Sequence, residues 1–296
     1  MGTHDPSSPG VYVARRDEAL EYLKRVQIIE GDQGVWGIPA DANNPEFGSL
    51  IQDIKAVHPE YFENGFLYTL EGDDISHLYY DHGRTLTAFS KVYLDTHDEG
   101  LLPFIERGAN WILDKPAVHN VNYNSAVIEG LSFAYRVTQT KDYLDKAVNM
   151  TQEAVISQSN DNGSFGNAHN QEAWYHGFIV SGLVALKQAL PASHEFNPVL
   201  EFHLSNAITY LEESTDQGSP YAFQWPGINA RVWSEIENLS AIGKWPALNS
   251  NQMDAYANCL YQTVHGEVNP NLETGFHRQK ALYHFIQIGN ALANHP

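Results

Sequence analysis

The chain has 296 residues, 43% of them hydrophobic, so it can bury a large core and its composition argues against a disordered protein. It carries 36 acidic residues against 17 basic ones, and this net charge of −19 disfavours nucleic-acid binding and, more weakly, a long polyanionic substrate. The single cysteine, Cys259, excludes an internal disulfide and a CxxC metal site, and its apolar context predicts a buried thiol.

The start of the chain and its apolar runs bear on localisation. No apolar run is long enough to span a membrane, and MGTHDPSSPG lacks the apolar segment of a signal peptide. We interpret this start as a trimmed end and expect a secreted or periplasmic protein without membrane attachment, a monomer or a small homo-oligomer. Glycosylation sequons at Asn149, Asn162 and Asn238 are compatible with a secretory route.

Hydrophobic spacing predicts a helical chain. An opening helix is predicted over 16–28, followed at about 31–72 by a segment rich in Gly, Pro and Asn, which we interpret as a long ordered loop of the kind that covers a binding site. From residue 73 onward, apolar residues recur at three- and four-residue spacing. The predicted helix pairs are 82–96 with 99–113, 124–138 with 141–157, 171–190 with 196–213, and 229–243 with 251–264, before a closing helix at 274–294.

Alternate helices differ in their surface pattern. Some are apolar nearly all round, as inner helices should be, and others have a charged face, as outer helices should have. AFSKVYLDT at 88–96 and GLSFAYRVT at 130–138 share an apolar rhythm, which indicates a repeat of about 42 residues, the size of a helical hairpin. The sequence therefore predicts an all-α protein, a single α/α toroid domain over 1–296, with either a complete or an incomplete ring.

Polar residues gather where the predicted inner helices begin. In an α/α toroid these N-terminal ends open on one face, so ligands bind there. Asn, Asp and Thr are also common helix caps, but the recurrence of His, Tyr, Asn and Arg at successive ends predicts a functional site. The polar segments are YYDHGR at 79–84, HNVNYN at 119–124, NAHNQEAWYH at 167–176, QWPGINAR at 224–231 and ETGFHR at 273–278.

These residue types limit the chemistry. The sequence lacks GxSxG, HExxH, a phosphate loop and a cysteine nucleophile motif. Tyr and His can serve as acid and base, while Asn and Arg can neutralise a carboxylate, which is the set needed for β-elimination from a uronic acid. Glycoside hydrolysis instead needs two carboxyl groups across the scissile bond, and Asp81 and Glu172 are the best-placed pair.

Part of the chain resembles a known family. NVNYNSAVIEGLSFAYRVTQTKDYLDKAV, followed by DNGSFGN and QEAWYHGFIVSGLVAL, resembles the centre of the α/α-toroid alginate lyases and related uronate lyases over about residues 80–190. Matched by position, the resemblance places the neutralising Asn of that family on Asn122 and its His on Tyr123. The DNGSFG turn also resembles turns in unsaturated-uronyl hydrolases and terpene-cyclase toroids.

The same resemblance assigns the catalytic helix. It implies that the helix bearing the catalytic Tyr is 171–182, where Tyr175 and His176 are available. The Asn-Asn-His signature and the arginine of that helix are missing here, so neutralisation would fall to Arg84, Arg231 or Arg278.

The leading hypothesis is a lyase that cleaves a uronic-acid glycan by β-elimination, without a cofactor or a metal. A zinc site at His169, His176 and Glu172 is the less favoured interpretation, because histidines at polar helix ends more often serve as acid–base groups. The alternatives are a glycoside hydrolase using Asp81 and Glu172, a toroid isomerase, epimerase or cyclase, and a glycan-binding protein without chemistry. The candidate catalytic residues are Tyr175, Tyr123, His176, His169 and Asn122; the candidate binding residues are Arg84, His82, Tyr80, Asn124, Trp174, Trp225, Arg231, His277 and Arg278, with Trp36, Trp174 and Trp225 stacking on sugar rings.

Overall fold

The chain divides into two compact units. The first holds the described residues up to His119 together with Ala126–Asn149, and the second holds Asn120–Ser125 and the described residues from Met150 onward. The prediction of a single domain stays a prediction. The computed structural model describes residues 9–40, 48–63, 65–68, 76–215 and 226–265.

In the first unit, two of the helices form an antiparallel pair. Near the start of α3 (Ser76–Thr96) the Tyr79 hydroxyl donates to the Pro116 carbonyl, just after α4 (Leu102–Leu113), at 2.5 Å. Further along α3, Phe89 contacts Phe104 near the start of α4, with ring centroids 5.9 Å apart. α3 and α4 therefore run in opposite directions as one hairpin. The helices are α1 (Pro9–Val26), α2 (Gly48–Val57), α3 (Ser76–Thr96), α4 (Leu102–Leu113), most of α5 (Val121–Thr138) and most of α6 (Lys141–Met150).

The second unit contains a corresponding hairpin. Near the start of α8 (Ala173–Ala189), His176 bonds to the Ala207 carbonyl of α9 (Asn197–Thr215), and near the end of α8 the Lys187 ammonium donates to Asn197 and Glu201. These contacts make α8 and α9 antiparallel. The helices of this unit, after the first turn of α5, are α7 (Ala168–Gln171), α8 (Ala173–Ala189), α9 (Asn197–Thr215), α10 (Pro226–Ala241) and α11 (Ser250–His265).

Two of the predicted inner helices, α3 and α5, approach each other side by side at a glycine. A Cβ at Gly83 of α3 would lie 2.4 Å from the backbone of Ala126 in α5, so only a glycine fits this crossing. Arg84 meets Glu129, and further along the same pair Lys91 lies over the Phe133 ring, so α3 and α5 run parallel. This is the arrangement expected of neighbouring inner helices.

The repeat predicted from the sequence is confirmed at two helix ends. Thr96 and Thr138 each donate a hydroxyl hydrogen to a carbonyl four residues earlier and accept the backbone N–H two residues later. Between these partners, His97 and Gln139 adopt left-handed conformations with φ of 55° and 60°. α3 and α5 therefore end with the same pattern of threonine hydrogen bonds, one repeat apart.

The segment predicted as a loop at 31–72 contains regular structure, which corrects that prediction. β1 (Ile28–Glu30) pairs with β2 (Gln33–Val35), and β5 (Phe66–Leu67) lies between β3 (Ile38–Pro39) and β4 (Phe62–Glu63), all antiparallel. Trp36 is buried between His82 and Phe89, and its indole N–H donates to the Leu23 carbonyl. The predicted role of Trp36 as a sugar platform is wrong for this reason.

Helix boundaries differ from prediction at several places, and α1 and α3 begin at Pro9 and Ser76, seven and six residues before their predicted starts at 16 and 82. The helix predicted at 171–190 is broken at Glu172, whose ψ of 135° is extended and separates α7 from α8. The helix predicted at 141–157 ends at Met150 and continues as a π-helical turn, Thr151–Val155, and a 3₁₀ turn, Ile156–Gln158. The helix predicted at 274–294 lies outside the described residues. Among the helices that the structure describes, none has the length and apolarity needed to cross a membrane.

Candidate functional site

Three helix starts meet at one end of the second unit. Asn122, the second residue of α5, donates to Asn170, which lies just before α8. Gly177, near the start of α8, faces Asn229, near the start of α10. Because Ser181 also meets Glu235 further along α8 and α10, these two helices run parallel. The first turns of α5, α8 and α10 therefore lie at the same end, as the sequence predicts for inner helices.

An aromatic cluster lies at the start of α8. The Tyr175 ring contacts His169 on one side and Trp174 on the other, with centroids 3.8 and 3.5 Å away. His169 is exposed, and Tyr175 and Trp174 are half-buried, so the cluster combines fixed rings with access to solvent. Glu172 accepts a hydrogen bond from the Trp174 indole N–H at 2.9 Å, which fixes a carboxylate beside the rings. A flat aromatic surface next to an acid–base group suits a sugar ring.

A chain of amides supports the start of α5. The Asn122 amide donates to Asn170 Oδ1 at 3.1 Å, and the Asn170 amide donates to Asn167 Oδ1 at 3.3 Å. The backbone N–H groups of Asn122 and Asn170 donate to the same two oxygens, which fixes the orientation of the amides. Asn122 is buried, and its side-chain amide N–H already donates to Asn170. A substrate carboxylate would have to replace Asn170 as that acceptor.

The buried histidines His82 and His176 occupy equivalent places in the two units. Each precedes a glycine, is fully buried, and bonds through Nε2 to a carbonyl of the partner helix at 2.9 Å, Gly108 for His82 and Ala207 for His176. His82 Nδ1 also accepts the Trp36 backbone N–H. This burial revises the predictions for both residues, because neither ring reaches the surface where a substrate would bind.

Burial lowers the pKa of both His82 and His176 to about 4, from a usual value of 6.5, so both are neutral at pH 7. The unfolded chain takes up these protons near pH 6.5 and the folded chain only near pH 4. Stability is therefore fully present above pH 6.5 and lost as the pH falls towards 4, by about 3 kcal/mol for each histidine.

Denaturant unfolding between pH 7 and 4.5 measures this loss. His82→Gln and His176→Gln remove one titrating group each, so each variant should lose less stability over this range than the parent. Comparing each variant with the parent cancels the contribution of the carboxylates. Equal losses in parent and variants would show that these histidines do not couple folding to pH.

The two predicted arginines in the described residues already face carboxylates of the protein. In the first unit, Arg84 pairs with fully buried Glu129 at 2.5 Å, and the Lys91 ammonium lies 3.8 Å from the same carboxylate. In the second, Arg231 is 2% exposed and contacts Ser181 and Glu235. The Arg84–Glu129 pair joins α3 to α5, whereas Arg231 and Glu235 both lie on α10 and contact α8 through Ser181. A substrate carboxylate would have to compete with these contacts.

The remaining predicted residues are placed as follows. Tyr80 is partly buried beneath the Arg84 guanidinium, and Asn124 is buried with its amide donating to the Asn120 carbonyl. Tyr123 is partly buried at the start of α5. Asp81 belongs to the first unit and Glu172 to the second. Trp225, His277 and Arg278 lie outside the described residues.

The less favoured hypothesis from the sequence is a zinc site at His169, His176 and Glu172. Within the part of the chain that the structure describes, no group of three or more His, Cys, Asp or Glu side chains is arranged to hold a metal ion. His176 instead directs its Nε2 to the Ala207 carbonyl. Cys259 is buried, and burial raises the pKa of its thiol to about 12, so it is not a thiolate ligand at neutral pH.

Several polar residues of the inner helices were missed by the sequence analysis. Glu129 was discoverable, because it is a carboxylate within an otherwise apolar helical stretch, where it needs a cation. Glu235 was discoverable because it follows Arg231 by four residues on one helix. Asn170 had no such signal, since an asparagine before a helix is an ordinary cap. Asn229 was included in the polar segment before α10 but was assigned no role.

Comparisons with known proteins bear on the fold. The sequence matches none of the known protein families and none of the curated proteins with which it was compared. Two solved structures are similar: a glycosyl hydrolase family 88 protein from Bacteroides vulgatus (TM-score 0.51, 11% identity, covering 84% of this chain and 85% of that one) and a polysaccharide lyase (TM-score 0.51, 10% identity, covering 89% and 86%). These likenesses confirm the predicted fold class, an all-α protein with the α/α-toroid fold.

Proposed function

We propose that the protein is a glycan-cleaving enzyme that breaks a uronic-acid glycan by β-elimination at the start of α8. The observation that carries this proposal is the half-buried Tyr175, held between His169 and Trp174 at an open helix end. The shared fold supports it, since one similar structure is a polysaccharide lyase. The net charge of −19 favours a short or partly neutral glycan over a long polyanion.

In the proposed reaction, Tyr175 removes the proton at C5 of the uronate. The released electron pair forms the C4–C5 double bond, the C4–O bond breaks, and the leaving oxygen takes a proton from the same tyrosine. The C5 proton becomes acidic only when the uronate carboxylate is neutralised. We assign that task to the amides of Asn122 and Asn124, which are fully buried at the start of α5. Substrate binding would have to expose them and replace their present acceptors. Tyr123 is the alternative base.

Incubation with a panel of uronic-acid polysaccharides tests the reaction class. β-Elimination yields an unsaturated uronate, detected by its ultraviolet absorbance, together with a new reducing end. We expect both signals to rise together on at least one polysaccharide. If no polysaccharide gives either signal, the proposal of a uronate-cleaving enzyme fails.

Glycoside hydrolysis is the second candidate, favoured by one observation. The Glu172 carboxylate is fixed beside the aromatic cluster by the Trp174 indole, where it could act on a bound sugar. The other similar structure is a glycosyl hydrolase family 88 protein. Hydrolysis predicts new reducing ends without an unsaturated product, and their loss in Glu172→Gln and in Asp81→Asn.

Removing the Trp174 ring should weaken substrate binding. Stacking on an aromatic ring contributes about 1 kcal/mol, so Trp174→Ala should raise KM by roughly fivefold and leave the chemical step less affected. Trp174→Phe keeps a ring and should recover most of the loss. Phe202→Ala is the control, because Phe202 is a 63% exposed ring on α9, away from this helix end. A KM unchanged in Trp174→Ala would remove Trp174 from the binding site.

A further inference from the structure

Asn229 and Trp233 present unusual buried polar groups on α10. They are four residues apart, so their side chains lie on one face of the helix. Both are fully buried. Neither the two amide atoms of Asn229 nor the indole nitrogen of Trp233 has a hydrogen-bond partner among the residues that the structure describes. Because buried polar groups in proteins are almost always hydrogen-bonded, three such atoms on one face indicate a bound polar group.

Gly177 allows the Asn229 side chain to approach α8 closely. Asn229 Oδ1 lies 2.5 Å from the position that a Cβ would take at Gly177 of α8, so any larger residue there would collide with the amide. The next polar side chain along α10, Arg231, has partners of its own in Ser181 and Glu235.

The donors and acceptors define the ligand. The Asn229 amide and the Trp233 indole both donate, whereas Asn229 Oδ1 accepts, so the bound group must both accept and donate hydrogen bonds. A carboxylate cannot donate, and a buried charge without a counterion is costly. A hydroxyl group meets both conditions.

We propose that Asn229 and Trp233 bind a hydroxyl group on this face of α10, beside Gly177. The hydroxyl comes from an enclosed water molecule or from a sugar. The sugar source rests on the proposed function, because it requires a bound glycan, whereas the water source is independent of it.

Unfolding of Asn229→Leu with and without an alginate oligosaccharide separates the two sources. Replacing a satisfied buried amide by an apolar side chain is destabilising, whereas replacing an unsatisfied one is neutral or stabilising. If water is bound, Asn229→Leu without oligosaccharide should unfold roughly 2–4 °C lower than the control Asn238→Leu. Asn238 is the matched control because it is an exposed asparagine of the same helix.

If a sugar is bound, Asn229→Leu alone should unfold no lower than the control, but it should lose the stabilisation that the oligosaccharide gives to the parent protein. The proposal would be overturned if Asn229→Leu were at least as stable as the control and were also stabilised by the oligosaccharide as much as the parent protein is.

Magnetic resonance of the Trp233 indole N–H distinguishes the loss of a bound water from misfit of the leucine in Asn229→Leu. Bound water should give a nuclear Overhauser effect to this hydrogen in the parent protein without oligosaccharide. A lowered unfolding temperature without that effect would reflect misfit and would count against the site. If the parent shows neither cleavage of nor stabilisation by any glycan, the proposed function fails, while the water measurement still decides this site.

Discussion

Tyr175→Phe is expected to lower turnover on a uronic-acid glycan by about 10²- to 10⁴-fold, the usual contribution of a positioned acid–base group. The ring between His169 and Trp174 remains, so KM should change little. Only the hydroxyl that exchanges protons with the substrate is lost. Steady-state kinetics on the most active polysaccharide, with appearance of the unsaturated product as the signal, measures both quantities.

Two further tyrosine variants make this result specific. Tyr123→Phe should reduce turnover far less, because Tyr123 is only the alternative base. Tyr22→Phe, on the exposed side of α1, should leave turnover unchanged. A large loss in Tyr123→Phe alone would transfer the role of base to Tyr123, and unchanged turnover in both would refute β-elimination by either residue.

Gly83→Ala is expected to destabilise the protein by about 3 kcal/mol, at the upper end of the cost of overpacking. The new Cβ would lie 2.4 Å from both the carbonyl carbon and the carbonyl oxygen of Ala126, so α3 and α5 would have to separate. Backbone atoms cannot move aside as a flexible side chain can. Denaturant unfolding gives the free-energy difference.

The direction of the change is informative, because alanine forms helix better than glycine by about 1 kcal/mol. Without the clash, Gly83→Ala would therefore stabilise α3. Ala88→Gly in the same helix measures that preference and should cost about 1 kcal/mol. A Gly83→Ala protein as stable as the parent would mean that α3 and α5 do not cross as closely as the structure shows.

The fold class could be predicted from the sequence because a helix that buries one face has apolar residues at three- and four-residue spacing. The helices at 99–113, 196–213 and 251–264 were predicted to within a few residues, and the helix ends at Thr96 and Thr138 were predicted at those residues. The short strands of residues 28–39 were missed. Strands of two or three residues are too short for an alternating pattern to show.

The site was only partly predictable, because polarity at a helix start does not tell which way a side chain faces. Trp174 and Tyr175 are partly accessible, but His176, the next residue, is fully buried a third of a turn further round the helix. Arg84 and Arg231 were assigned to a substrate carboxylate, and Glu129 and Glu235 occupy that place. Glu129 lies 45 residues from Arg84, so local sequence could not identify it as the partner, whereas Glu235 follows Arg231 by four residues on the same helix.

The His–Gly pairs at 82–83 and 176–177 have a consequence for rotation and chain insertion. In each pair the imidazole bonds outward to the partner helix of the hairpin, while the glycine admits a neighbouring inner helix from the side. Inserting one residue in the helix before such a pair would turn it by about 100° and lose both contacts at once. Each His–Gly pair therefore fixes the rotation of its helix about the helix axis. Insertions or deletions within α3 or α8 before these pairs should therefore be poorly tolerated, because they change the rotation of the whole helix that follows.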